Sequence, residues 1–310
     1  MRPLIRASTT PDVAGRRAAA AGRERAWAGR TGSASLAWRR FRRHRGAQVG
    51  LGVVLVFGLL ALLAPMVAPY GPTDADLERR LQPPSRQHWL GMDQQGRDLF
   101  SRIVYGGRVS LVIGVIAVGV AAGIGIPVGA ASGFRGGWLG QILMGLVDVL
   151  LSFPAILVAI LIVALAGPGL RNAMLAIGIS QMPAYARLMR AEVIRLRSEM
   201  FVEAARAIGL PEGRVLLRHI LPNAAGPLIV QSTLNLAGAI LSAAYLGFLG
   251  LGAQPPTPEW GAMLSDGRTY LRTAPHVAVY PGVAVMLVVL GFNLFGDGLR
   301  DALDPRATRR

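Results

Sequence analysis

The chain has 310 residues, of which 52% are hydrophobic and only 16% are charged, against about 25% in a typical soluble domain. All 33 basic residues are arginine, and they outnumber 17 acidic residues, so the formal net charge is +16. The absence of lysine excludes a Walker A site for ATP and Schiff-base chemistry. The absence of cysteine excludes disulfides, thiolate nucleophiles and sulfur-ligated metals. This composition is typical of a membrane protein.

Residues 1–46 contain twelve arginines, two acidic residues and no apolar periodicity. A segment of this composition cannot bury enough apolar surface to offset the entropy of ordering, which predicts a basic, disordered cytoplasmic tail. An Arg-rich transit peptide is the alternative interpretation. The apolar run behind the tail makes that alternative unnecessary, because arginines commonly flank the cytoplasmic end of a first membrane helix.

Six apolar runs follow the tail and predict an all-α membrane protein with six transmembrane helices. They cover residues 49–68, 109–132, 139–166, 173–185, 224–250 and 277–295. Gln181 and Pro183 interrupt the fourth run, which is also the shortest. The chain therefore divides into the tail, a segment 47–106 with the first helix and a polar extracytoplasmic part, and a five-helix core at 107–306 with a charged loop at 190–222.

The placement of arginine predicts the orientation, because cytoplasmic loops carry an excess of positive charge. With the amino terminus inside, 24 arginines are cytoplasmic and 9 are external; without the tail the numbers are 12 and 9. We therefore expect both termini in the cytoplasm. This excess also explains the net charge without a nucleic-acid surface, which would need a folded basic module.

Glycine recurs at every fourth position in and after the second run, a spacing that lets helix backbones approach closely in lipid. These residues are Gly125, Gly129, Gly133 and Gly137. We expect Gly119, Gly123 and Ala130 to widen the same face. We favour packing between helices of this chain over a subunit interface as the explanation.

The charged loop predicts a helix–turn–helix. Residues 201–208 favour a helix that ends at Gly209, because glycine supplies the left-handed residue that closes a helix. Leu210 and Pro211 should begin a second helix, which Pro222 ends. In the first helix we expect two adjacent alanines, at 204 and 205, to form a smooth surface that suits insertion into a groove of another protein.

One motif of the charged loop consists of Glu203, Ala204, Ala205, Gly209, Leu221 and Pro222. It resembles the cytoplasmic loop motif of one family, the permease subunits of binding-protein-dependent ABC importers. Other stretches resemble the dipeptide, oligopeptide and nickel branch, namely GMDQQGRD at 91–98, YARLMRAEV at 185–193, RHILPN at 218–223, GFLGLGAQPPTPEWG at 247–261 and LGFNLFGDGLRDALDPR at 290–306. Met92 stands where this branch usually has threonine. The resemblance covers residues 41–306.

The resemblance implies a type I ABC importer permease fold with six transmembrane helices and a cytoplasmic coupling helix, in a bacterial inner membrane. The chain would be the second, C-type permease of a heterodimer, importing peptides or similar small solutes. Its implied partners are a homologous first permease, two ATPase subunits and an extracytoplasmic solute-binding protein. The ATPases would bind ATP and Mg²⁺, so this chain would carry no cofactor and no enzymatic activity. The loop motif would transmit their movement, while His219 and Asn223 shape the return into the fifth helix.

Asp148 is the acidic residue that lies well within an apolar run, a costly position that often marks function. Ser152 and Pro154 follow one turn later, and the proline should bend the helix. A place on the translocation pathway for Asp148 and Ser152 is one interpretation. A structural hydrogen bond from Asp148 to a neighbouring helix or to Arg135 is the other.

Other functional classes find little support in the sequence. The four histidines are scattered over both sides of the membrane, and no catalytic motif for a nucleophile or base occurs. An ion-coupled secondary transporter is the alternative function, but it would show internal repeats and several buried ionisable groups. We expect Glu259 and Asp266 in the last outer loop to be solvated or to face a partner.

Overall fold

The computed structural model describes residues 44–303, together with residues 39, 41 and 42. The tail predicted for residues 1–46 falls almost entirely outside this part, as do residues 304–306 of the predicted core, so those expectations stay predictions. Within the described part the chain is helical, with two isolated β-bridges and no strand. The principal helices are α1 Arg45–Leu62, α2 Leu99–Arg135, α3 Gly137–Leu151, α4 Ala155–Ala166, α5 Leu170–Arg197, α6 Met200–Ala207, α7 Ala225–Phe248, α8 Trp260–Gly267 and α9 His276–Leu303.

Four of the described helices are individually long and apolar enough to cross a membrane, namely α1, α2, α7 and α9. The third predicted run is divided into α3 and α4, which meet at 90° and together pass the same test as a bent pair. Pro154 precedes the first residue of α4, so the expected bend is a complete break. The described residues thus contain four candidate spans, or five with the bent pair.

The fourth predicted run lies in α5, a continuous helix of 28 residues. Gln181 and Pro183 interrupt the apolar run but not the helix, which passes through both. Pro183 is buried, and tertiary packing holds the helix where local propensity would weaken it. The second half of α5 carries five charged side chains, which explains why this helix is not among the candidate spans.

Glycines of α2 pack against α5, as the sequence predicted. A Cβ on Gly125 would lie 2.6 Å from the Met182 carbonyl oxygen, and one on Gly133 would lie 2.9 Å from that of Arg190. Between them, a Cβ on Gly129 would collide with the carbonyl oxygen of Ala186. The two helices therefore touch backbone to backbone within this chain.

The predicted extent of this glycine face needs correction. Gly137 begins α3 with φ +57° and meets nothing within 4 Å. Gly119 and Gly123 also face open space, while Ala130 is buried. At about 100° per residue, Gly119 and Gly123 point away from the side of α2 that carries Gly129. The contact face is therefore narrower than expected.

A second close contact joins the first and last spans. Gly50 of α1 faces Gly291 of α9, and a Cβ on Gly50 would lie 2.6 Å from the Gly291 carbonyl oxygen. On the other side of α9, a Cβ on Gly296 would lie 2.8 Å from the Leu234 side chain of α7. The helix α7 also contacts α2 and α5, so it links this pair to the α2–α5 core.

The GMDQQGRD segment anchors the amino-terminal end of α2, a role that the sequence did not reveal. Asp98 caps the helix by accepting from the Ser101 backbone N–H at 2.8 Å, and it pairs with His88 Nδ1 at 2.9 Å. Asp93 accepts from Arg97 Nε at 2.7 Å and lies 3.2 Å from Arg102 Nε. Five buried side chains thus hold the start of α2 in place, namely those of His88, Asp93, Arg97, Asp98 and Arg102.

Glu259 is not solvated, contrary to expectation. It is 1% exposed and caps α8, because its carboxylate accepts from the backbone N–H groups of Gly261 and Ala262 at 2.8 and 2.9 Å. Burial raises the pKa of the Glu259 carboxyl above its ordinary value, although these backbone hydrogen bonds act in the opposite direction. Asp266, four residues beyond Ala262, is exposed as expected.

We expect Glu259→Gln to flatten the dependence of thermal stability on pH. Because the folded-state pKa of Glu259 lies above its unfolded value, its contribution to stability is full at acidic pH and is lost as the pH rises through the folded pKa. Glutamine cannot ionise, so the variant lacks this loss. Thermal unfolding in detergent across a pH series measures it, with Asp266→Asn as the exposed control. Parallel profiles of wild type and Glu259→Gln would contradict the prediction.

Candidate coupling surface and translocation face

The helix α6 stands at the end of α5 and presents two different sides. Val202 and Ala205 are 0% and 4% exposed and pack onto the core of this chain. Glu203 and Ala204 are exposed on the other side. The prediction that both alanines form one outward surface is therefore wrong for Ala205, because neighbouring helix positions differ by about 100° in direction.

Apolar side chains surround this outward side of α6. Met200 and Ile208 are 83% and 78% exposed, at the two ends of the helix. Together with Phe201, Glu203 and Ala204 they form an exposed patch, which we call the coupling surface. A short helix with unpaired apolar groups at both ends is typical of a segment that docks onto another protein.

Gly209 closes α6, as the sequence predicted. Its φ is +80°, its N–H donates to the Arg206 carbonyl oxygen at 2.9 Å, and nothing lies within 4 Å of a Cβ placed on it. The Leu210 N–H donates to the Ala205 carbonyl oxygen at 3.2 Å and completes the turn. Arg206 then reaches across the turn to Glu212, with nitrogen–oxygen distances of 3.0 and 3.1 Å.

Pro222 does not end the second helix of the loop. Helical pieces at Glu212–Val215, Leu216–Ile220 and Leu221–Asn223 follow one another up to α7, and the middle piece is a π-helix. Pro222 has no N–H to donate, but it lies in the first turn of a new helical piece, directly after the wider π turn, where no such hydrogen bond is needed. Leu221 is half-buried and Pro222 is exposed. The Asn223 side chain donates to the His219 carbonyl oxygen, so these two residues shape the start of α7 as expected.

Arg197 ties the base of the loop to α2, a contact that the sequence gave no sign of. Its guanidinium donates to the carbonyl oxygens of Gly133 and Phe134 at 3.0 and 2.8 Å, and it lies 5.5 Å from the centre of the Phe134 ring. A cation at the carboxyl end of a helix is favourable because of the helix dipole. The start of the loop is thereby attached to α2, the longest helix among the described residues.

Asp148 and Ser152 lie at the elbow between α3 and α4. Asp148 pairs with Arg187 of α5 at 2.7 Å, with side chains 57% and 61% exposed. The expected bond to a neighbouring helix is thus present, and its partner is Arg187 instead of Arg135. The Ser152 hydroxyl donates to the Asp148 carbonyl oxygen at 2.9 Å. Both predicted residues are exposed on one face of the described chain.

Nothing in the described residues forms a metal centre, since no group of three histidine, aspartate or glutamate side chains converges there. The features that do converge are a short helix with an exposed side, a turn closed by Gly209 and the contact of Arg197 with the end of α2.

Residues 125–309 match the family described as the binding-protein-dependent transport system inner membrane component. The chain belongs to this family. Residues 34–84 also match the N-terminal transmembrane domain of oligopeptide transport permease C. The chain is therefore a permease subunit of an ABC importer, a membrane component whose ATPase activity sits in separate subunits, as its motifs implied. The ion-coupled alternative has no support.

Curated relatives place this permease in the peptide branch of the family. It is 49% identical over 270 residues to the dipeptide transport system permease protein DppC of Alkalihalophilus pseudofirmus, covering 87% of this chain and 89% of the relative. It is 47% identical over 270 residues to the glutathione transport system permease protein GsiD of Escherichia coli O157:H7, with the same coverage.

Solved structures support the fold. The permease resembles a chain of the MetNI methionine ABC transporter in an inward-facing conformation, with a TM-score of 0.56 at 20% identity. The match covers 66% of this permease and 98% of that chain. A second crystal form of the same transporter gives a TM-score of 0.51.

Proposed function

We propose that this permease imports peptides or similar small solutes, delivered by an extracytoplasmic binding protein, across a bacterial inner membrane. It acts as the second permease of a heterodimer with a homologous first permease. Two ATPase subunits bind ATP and Mg²⁺ on the cytoplasmic side, and this chain holds no cofactor. The names of the dipeptide and glutathione relatives support the choice of cargo. The observation that carries the proposal is the short helix α6, which presents an exposed apolar side in the loop between α5 and α7.

We propose α5 as the sixth span of this permease. It packs against α2, α4 and α7, so most of its surface faces protein and it does not need a lipid-compatible composition. Its charged second half extends toward α6, on the side where arginine is abundant. In this proposal α6 and both termini lie in the cytoplasm.

The coupling surface receives the ATPase in this proposal. Glu203 and Ala204 make direct contact, while Ala205 acts from inside by seating α6 on the core. Gly209 sets the direction of α6, and Leu221 with Pro222 returns the chain to α7. A large side chain at the buried position 205 should therefore disrupt the folding of the loop. A large side chain at the exposed position 204 should only block docking of the ATPase.

Transport by the reconstituted complex tests the function as a whole. Proteoliposomes containing both permeases and both ATPases, with the binding protein and a labelled dipeptide supplied on the outer face, should accumulate the label when ATP is enclosed. Accumulation should stop when ATP is depleted and continue in the presence of an uncoupler of ion gradients. Loss of transport with the uncoupler alone would contradict an ATP-driven mechanism and favour an ion-coupled one.

Asp148 and Ser152 line the translocation pathway in this proposal, because an exposed ion pair within the spans is costly against lipid and favourable against water. We expect Asp148→Arg or Arg187→Asp alone to lower transport, by roughly tenfold, since each leaves like charges together near the membrane. The charge-exchanged double variant should recover most of the loss. The labelled-dipeptide assay measures all three. Double and single variants that are equally impaired would contradict a role for the pair itself.

A further inference from the structure

A partly polar cavity of about 190 Å³ lies where the amino-terminal end of α2 meets α8 and the loop that follows α7. Three charged side chains line it, those of Arg97, Arg102 and Asp266, beside the amide side chains of Gln95 and Gln254. Its volume is that of roughly six water molecules, so a small polar solute fits into it. The coupling surface is not part of this cavity.

The two arginines of the cavity share a single carboxylate. Arg97 Nε donates to Asp93 Oδ2 at 2.7 Å, and Arg102 Nε lies 3.2 Å from the same oxygen atom. The other oxygen of Asp93 accepts from the backbone N–H groups of residues 95 and 97 at 2.8 and 3.0 Å. The arginine side chains are 5% and 4% exposed. One buried positive charge therefore lacks a paired carboxylate, which is unfavourable.

Both guanidinium groups also have unused donors. Neither terminal nitrogen of Arg97 donates a hydrogen bond within the described part of the chain, since only its Nε reaches Asp93. Arg102 donates from one terminal nitrogen to the Pro72 carbonyl oxygen at 2.9 Å, while its buried Nε is not directed at Asp93 as in a hydrogen bond. These groups gain from an acceptor in the cavity, and a carboxylate is the acceptor that guanidinium groups bind most strongly.

Asp266 supplies a negative charge from a different wall of the cavity. It belongs to α8, whereas Arg97 and Arg102 lie at the start of α2, and its side chain is exposed. The interaction between Asp266 and Arg102 is attractive, but no ion pair joins them across the cavity. The cavity thus separates two positive groups from one negative group.

The cavity and the coupling loop lie at opposite ends of α2. Arg197, at the base of that loop, contacts the carboxyl end of α2, whereas the cavity is at the amino-terminal end. This helix has 37 residues, so its ends are about 55 Å apart at about 1.5 Å per residue. In the proposed orientation the cavity is extracytoplasmic, on the side where a binding protein delivers the cargo.

We propose that this cavity binds a small zwitterion, whose carboxylate contacts Arg97 and Arg102 and whose ammonium group faces Asp266. The carboxylate balances the excess positive charge of the two arginines, and the ammonium group balances Asp266. A simple inorganic anion would satisfy only the arginines. A dipeptide carries both charged groups. The further assignment of the zwitterion as a peptide in transit rests on the proposed function.

Ala-Ala and two blocked analogues test this site on the purified complex of both permeases and both ATPases, without the binding protein. Ala-Ala-amide lacks the carboxylate, and N-acetyl-Ala-Ala lacks the ammonium group. A ligand that binds the folded complex raises its unfolding temperature as the ligand concentration increases, which gives an apparent dissociation constant. We expect the wild type to bind Ala-Ala more tightly than either analogue.

Two variants should give a crossed pattern. Arg97→Gln should weaken the binding of Ala-Ala and N-acetyl-Ala-Ala by about 10- to 100-fold, as for the loss of hydrogen bonds to a charged group, and should not weaken that of the amide. Asp266→Asn should weaken the binding of Ala-Ala and the amide by about 2- to 5-fold, because its carboxylate is exposed, and should not weaken that of N-acetyl-Ala-Ala. A general loss of structure would affect all three ligands alike.

Matched controls remove exposed charges that do not line the cavity. Arg86 and Glu78 are exposed in the segment that precedes α2, so Arg86→Gln and Glu78→Gln should bind all three ligands as the wild type does. Arg97→Gln leaves Asp93 and Arg102 as a balanced pair, which favours its assembly. If it fails to assemble, Arg97→Lys replaces it and should weaken the same two ligands, because lysine lacks the planar fork of donors.

The possible results are distinguishable. If Ala-Ala leaves the unfolding temperature unchanged in a wild-type complex that transports labelled dipeptide, or if each variant weakens all three ligands alike, the zwitterion site does not exist and the proposed function stands. If Arg97→Gln weakens only the stimulation of ATPase activity by the binding protein, the cavity receives a carboxylate of that protein and is not a zwitterion site. If the crossed pattern occurs in a complex that transports no dipeptide in the presence of ATP, the site stands and the proposed function fails.

Discussion

Gly209→Pro is expected to abolish ATP-driven transport while the protein remains in the membrane. Gly209 has φ +80°, and proline fixes φ near −65°, so the variant cannot close α6 in the same direction. An incompatible proline costs about 3 kcal/mol or more, which lowers the population of the docking conformation by about 100-fold. Gly209 is exposed, and nothing lies within 4 Å of its Cβ position, so the change should not disturb the membrane core. Labelled-dipeptide transport, with membrane content measured by immunoblot, tests both parts.

Gly213→Ala is the matched control for this variant. Gly213 is exposed and has open space around its Cβ position, but it lies in the helical piece Glu212–Val215, where alanine is favourable. Transport by Gly213→Ala should equal that of the wild type. Normal transport by Gly209→Pro, with its ATPase partners present, would exclude the assigned role of the turn.

A second comparison separates docking from folding in α6. Ala204 is exposed and Ala205 is 4% exposed, although the two are neighbours in one motif. Ala204→Arg should leave the thermal stability unchanged and weaken binding of the ATPase. Ala205→Arg should lower the stability as well, because its charge would enter the core. Equal effects of both substitutions on stability would contradict the observed orientation of α6.

The sequence of this permease predicted features that depend on neighbouring residues, but it did not predict contacts between residues far apart in the chain. Apolar runs predicted the four candidate spans and the bent pair, because a membrane helix needs about 20 apolar residues wherever it packs. Gly209 was predicted because the closing residue of a helix favours glycine regardless of its surroundings. The partner of Asp148 is Arg187, 39 positions away, and no pattern in the sequence connects them. The clamp from Arg197 to Gly133 and Phe134 was missed for the same reason.

The prolines show where tertiary structure overrides local preference. Pro154 breaks its helix and Pro183 does not, although both lie within apolar surroundings. Pro183 is buried in a helix that α2, α4 and α7 hold on several sides, whereas Pro154 is exposed at an elbow. Packing thus compensates for a missing hydrogen bond in one case and not in the other. Glu259 also depends on packing, since its burial beneath Gly247 could not be read from its polar neighbours.

The contact between α2 and α5 leads to the second large expected effect. Gly129→Ala should destabilise the permease by about 3 kcal/mol, the upper part of the range for overpacking, because its methyl group would collide with the carbonyl oxygen of Ala186. Backbone atoms cannot rotate away as a side chain can, so the two helices must separate. Gly123→Ala on the open side of α2 should instead be neutral or stabilising, by up to about 1 kcal/mol, because alanine is the better helix former. Thermal unfolding of both variants in detergent measures the difference. Equal stability of the two would mean that α2 and α5 do not approach through glycine, and the connection from Arg197 through α2 to the membrane core would then lose its support.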